Sequence, residues 1–124
     1  MTARILSGLV GVVMLLSFLG WMFDPASAAA GLEMNLENGL GGNTQIGDFS
    51  AFFFTAGIFA CLGAYRSEPN WLFTAISLLG SAAVFRVYAA VVYDTELLMS
   101  AVLAEVVMSA VLIVAVFLMK PSLS

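Results

Sequence analysis

Apolar side chains along this chain come in four long, nearly charge-free runs, at 5–23, 49–65, 71–93 and 97–119, separated by short polar segments. Each run is close to the ~20 residues an α-helix needs to cross the hydrocarbon core of a bilayer. They are too long and too uniformly apolar to serve as barrel strands. Helices remain, because inside lipid every backbone N–H and C=O must be paired within the segment. The pattern predicts an all-α integral membrane four-helix bundle, a single domain over 1–124 with an outer loop at 24–48. Links at 66–70 and 94–96 are tight turns, so the last three helices pack as sequential antiparallel neighbours.

Composition agrees. The 124 residues are 62% hydrophobic and 10% charged, with a mean hydropathy of +1.06, and a soluble chain this small has no core large enough to hide that surface. Basic residues set the orientation. Arg4, Arg66 and Lys120 fall on one predicted side, and Asp24, Glu33, Glu37, Asp48, Asp94 and Glu96 on the other. Both termini are therefore expected on the cytoplasmic side. Trp21, Tyr65, Trp71 and Tyr93 mark predicted helix ends, where amphipathic rings favour the headgroup level.

Arg4, the apolar run after it and the small residues Ala26-Ser27-Ala28-Ala29 also fit a secretory signal peptide, whose removal would leave three helices. The run exceeds the usual signal core of roughly 7 to 15 residues, which favours a retained helix. Within the outer loop, Leu32, Leu36 and Leu40 repeat every four residues and suggest a helical turn or two over 32–40. A solvated acidic loop is the alternative.

Two charges interrupt the apolar runs. Arg86 and Glu105 stand alone in the third and fourth, and antiparallel packing places both about 10 to 12 Å below one face, as an intramembrane ion pair would require. Small residues that permit close helix approach line up with them: Ser77, Ser81, Ala82 and Ala90 with Arg86, and Ala101 and Ser109 with Glu105. Ala56, Ala60 and Ala64 with Gly57 and Gly63 form a second stripe; Ser7, Gly11, Ser17 and Gly20 form a third. Both charges are expected to face inward.

Asn43, Gln45, Asp48 and Tyr93 are candidate contributors at the outer end. Asp48 either caps the second helix, where its carboxylate meets orphan N–H groups, or joins Arg86 and Glu105 in one polar cavity. A cation, a proton or a positively charged ligand would complete that cluster. Tyr88 is expected to point elsewhere. Ionisable groups in lipid cost a few kcal/mol each, so the pair is either a lock between two helices or a functional site.

The absence of His removes imidazole ligation and His acid–base catalysis. The lone Cys61 removes intrachain disulfide chemistry. No P-loop, dinucleotide turn or HExxH motif occurs, and a net charge of −4 without a basic patch argues against nucleic acid. No cofactor or metal is expected.

Gly41-Gly42-Asn43-Thr44-Gln45-Ile46-Gly47-Asp48-Phe49, Phe85-Arg86 and Ala104-Glu105 together resemble a bacterial family of small four-helix membrane proteins, known as a domain of unknown function and broadly similar in plan to the DoxX-like group. Phe85 stands where that family favours Gly, and Asn43 near a position often basic there. The resemblance implies the four-helix plan and supports Arg86 and Glu105, but implies no activity. Three readings are open: a non-catalytic accessory subunit docked on other membrane subunits or on itself, a small ion- or proton-coupled transporter component, and a protein that binds a quinone or lipid. The accessory reading assumes least, because four helices enclose little volume. Catalysis is the least expected.

Overall fold

The computed structural model describes residues 1–119. It is all-α: α1 Thr2–Phe23, α2 Pro25–Gly31, α3 Gly39–Arg66, α4 Pro69–Val92 and α5 Met99–Met119, with no strand among the described residues. Lys120, read above as one of three basic residues sharing a side, lies outside them. The four longer helices are each long and apolar enough to cross a membrane.

These four pack in a ring in chain order, α1 on α3, α3 on α4, α4 on α5 and α5 back on α1. Neighbours run antiparallel. Arg4 at the start of α1 reaches the end of α3, Phe59 of α3 meets Trp71 at the start of α4, and Arg86 late in α4 meets Glu105 early in α5. One end of the molecule, here the proximal end, therefore carries Thr2, Arg66, Pro69 and Met119. The distal end carries Phe23, Gly39, Val92 and Met99.

Breaks between helices follow local chemistry. Pro25 disfavours helical backbone at Asp24, which stops α1, and the same proline then opens α2 at its first turn. Five of the seven residues of α2 are small helix formers or Gly after an alanine run, and the helix closes as the Leu32 and Met34 N–H groups bond Ala29 O at 2.9 Å. Only Ser67 and Glu68 separate α3 from α4. Ser67 takes the left-handed conformation, φ 51°, that commonly ends a helix, and Pro69 opens α4.

The outer loop differs from its expected form. Residues 32–38, where the leucine repeat suggested helix, are the non-helical stretch, and helix lies on both sides of it. Leu36 and Leu40 do not share a packed face, because Leu40 is 88% exposed. The second apolar helix begins at Gly39 rather than 49, so Asp48 is not its N-cap; Asn38 occupies that position. Gln45 explains the early start. Its Oε1 accepts the Glu37 N–H at 2.6 Å and its Nε2 donates to Asn35 O at 3.1 Å, tying the link down against the first turns of α3. At 28 residues α3 is ~42 Å long, well beyond the ~30 Å of a hydrocarbon core.

The core holds Trp21, Leu72, Leu79, Leu112 and Ser7, all fully buried. Trp21 is a second correction. It does not sit at the surface as a headgroup marker but lies parallel to Phe49, ring centroids 4.7 Å apart. Tyr65 and Tyr93 are exposed. The packed face of α4 is also rotated from the expected one: Leu72, Ala75, Leu79 and Ala83 are buried, while Ser77 is exposed. On α5 the buried row does include Glu105 and Ser109, continuing to Leu112 and Ala115.

Candidate functional site

Arg86 and Glu105 each lie less than two turns from the distal end of their helices. The Arg86 Nε–H donates to Glu105 Oε1 at 3.0 Å. Glu105 keeps 9% of its side-chain exposure and Arg86 29%, so the carboxylate is the enclosed partner and the guanidinium leans toward the opening. The contact uses one nitrogen and one oxygen, leaving the terminal Arg86 nitrogens and Glu105 Oε2 free to meet something else. Ser109, one turn further along α5, has a buried hydroxyl without a partner.

The pair lies in the wall of a cavity of about 650 Å³ between all four long helices. Its walls are apolar, with Met14, Phe52, Phe53, Leu79 and Met108 among them. Small side chains help make the room: Ala82 and Ala89 of α4 and Ala101 and Ala104 of α5 are among its lining. Its polar groups are Arg86, Glu105, Asp48 and Ser17, and the Ser17 hydroxyl already donates to its own helix at Val13 O. A second cavity of about 520 Å³ lies at the distal end and shares Leu32, Phe49 and Arg86 with the first. Glu33 and Glu96 line this outer space.

Asp48 thus belongs with Arg86 and Glu105 as a wall of one cavity, although its carboxylate forms no hydrogen bond or ion pair with any described residue. The other three candidates do not join them. Asn43 is exposed on the first turns of α3 and lines neither space. Gln45 is committed to the link at 35–37. Tyr93 is 69% exposed and its ring stands 6.1 Å from that of Tyr88, outside both cavities. Glu33, Glu96 and the phenylalanines of the wall carried no distinguishing sequence signal beyond side and hydropathy.

Among the described residues, no three acidic or cysteine side chains gather closely enough to hold a metal ion. Cys61 is a packing residue against Gly11, where α1 and α3 touch. Fold and site together define a small all-α chain with four helices apolar enough for a membrane and an apolar interhelical cavity with an Arg–Glu pair in its wall. Comparison with known proteins finds no family model, no curated protein and no solved structure that matches the chain.

Proposed function

We propose that this is a multi-pass four-helix bundle of the bacterial inner membrane, both termini cytoplasmic, that binds one small lipophilic molecule in the cavity lined by Arg86 and Glu105. Large apolar side chains such as Leu9, Leu16, Phe54, Phe73, Val107 and Leu118 stand exposed around all four helices, a surface suited to lipid and not to water. Arg4 and Arg66 at the proximal end against Asp24, Glu33, Glu37, Asp94 and Glu96 at the distal end favour proximal-side-in. The pair then lies within the membrane, near its outer face.

The observation that carries the reading is the cavity. Its volume falls in the 300–1,000 Å³ range of small-molecule sites, which are mostly apolar with a few converging polar groups. An accessory subunit without a ligand rests on four helices enclosing little space, and a cavity of about 650 Å³ runs against that ground. Likeness to the small four-helix, broadly DoxX-like family remains part of the proposal and adds no activity. The reading assigns no reaction to the site.

Native mass spectrometry of gently extracted protein tests it, alongside an Ala82→Phe variant that fills the cavity from α4. The wild-type protein should carry one small lipophilic adduct, and the variant, equally folded, should lose it. Recovery of wild type in fixed proportion with other membrane subunits and without an adduct would return the weight to the accessory-subunit reading.

A further inference from the structure

We infer that the molecule held in the cavity beside Arg86 is a monovalent lipophilic cation, an apolar body with one ammonium-type head. This rests on the ligand-binding reading above and names its ligand class.

Charge across the two adjoining cavities decides the class. One guanidinium faces four carboxylates, those of Glu105 and Asp48 in the inner space and Glu33 and Glu96 in the outer one. Arg86 is already engaged by Glu105. An arriving head group meets the remaining Arg86 nitrogens and, outnumbering them in charge, Asp48, Glu33 and Glu96, whose carboxylates have no hydrogen-bond or ion-pair partner among the described residues. A phosphate or carboxylate head would oppose these three, and a neutral quinone-type head would gain little from them. A cation gains from each, the more so because apolar walls lower the local dielectric.

The walls agree with that choice. Phe49 borders both cavities, and Phe52 and Phe53 line the inner one. Aromatic rings attract cations through their electron-rich faces, most effectively where water is displaced, which suits quaternary and protonated amines. An inorganic ion is the poorer fit. The carboxylates do not cluster tightly enough to coordinate a metal, and the inner space is apolar along most of its depth. A diffuse organic charge with a hydrocarbon body matches the order from the membrane interior outward: apolar walls, then the neutralised pair, then unpaired acid.

Three probes with one ten-carbon chain and different heads test the inference: decyltrimethylammonium, decanol and decanoate. Binding is read from Trp21, which stacks on Phe49 at the cavity wall, in full-length Trp71→Phe protein held in zwitterionic lipid nanodiscs. Decyltrimethylammonium should bind about tenfold or more tightly than either other probe. Combining Asp48→Asn, Glu33→Gln and Glu96→Gln, all at exposed positions, should bring the cation to the level of decanol. Equal binding of cation and alcohol, or tightest binding of decanoate, would overturn the cationic class and leave the ligand-binding reading standing. If none of the three produces a Trp21 response that Ala82→Phe abolishes, both fall together.

Discussion

Arg86 and Glu105 meet through a single N–H···O contact of 3.0 Å, with the carboxylate enclosed and the guanidinium partly open. Such an arrangement is asymmetric under mutation. Removing Arg86 leaves an enclosed carboxylate without its counter-charge, a change that costs about 3 kcal/mol in comparable buried pairs, whereas replacing both partners by apolar groups of similar size is often near neutral. Arg86→Ala should therefore lower the unfolding midpoint in detergent clearly, and Arg86→Met combined with Glu105→Leu should lower it less. An unchanged midpoint for Arg86→Ala would show that the pair does not hold α4 to α5.

A close approach of two long helices lies elsewhere, between α1 and α3. A Cβ at Gly11 would collide with the Cys61 sulfur and come 3.1 Å from Gly57 O. Gly57 is reciprocally closed by Leu15. Gly11→Leu should force these helices apart and cost about 2 kcal/mol or more. Gly47, further up α3, has nothing within 4 Å of its absent Cβ. Gly47→Ala should instead stabilise by about 0.5 to 1 kcal/mol through helix propensity alone. Thermal unfolding of the two variants separates a contact effect from a general intolerance of change.

Four long helices were legible because uninterrupted apolar length is the strongest signal a chain can carry. Arg86 and Glu105 were legible because each is a lone charge in such a run. The first ten residues of α3 were not, since Gly39, Gly41, Gly42 and Gly47 lower helix propensity. What overrides it is tertiary: the Gln45 clamp, and the close approach of Gly42 to the Glu37 carbonyl, which a side chain would block. Trp21 shows a different limit. An aromatic at a helix end reads the same whether it faces headgroups or a neighbouring helix, and only the partner Phe49 decides. The cavity was hidden for a related reason, because alanines at 82, 89, 101 and 104 look like close-packing residues, and only the fold shows that they line a space.

Arg4 carried an orientation signal, and the structure gives it a mechanical role as well. Its Nε–H donates to Ala64 O at 2.8 Å and its Nη2 to Tyr65 O at 3.1 Å. These carbonyls belong to the last turn of α3, where orphan acceptors and the negative end of the helix dipole favour a cation. Arg4→Ala should cost up to about 1 kcal/mol, with faster amide exchange concentrated in the last turn of α3. Arg4→Lys should recover part of the effect, since it keeps the charge but not the fork of donors. Uniform exchange across α3 in Arg4→Ala would mean that the clasp does not secure that end.

Orientation itself is open to direct measurement, because the two ends of the molecule differ in accessible positions. Ser67 is exposed in the proximal α3–α4 link and Thr95 in the distal α4–α5 link. On a Cys61→Ala background, which removes the native thiol, Thr95→Cys should react with a membrane-impermeant maleimide from the outer face. Ser67→Cys should react only after the inner membrane is opened. The expectation follows from Arg4 and Arg66 lying proximally while Glu33, Asp94 and Glu96 lie distally, since short basic segments are retained in the cytoplasm. The reverse pattern would invert the whole molecule. The acid-lined space beside Arg86 would then open to the cytoplasm, and any molecule entering by it would have to come from inside the cell.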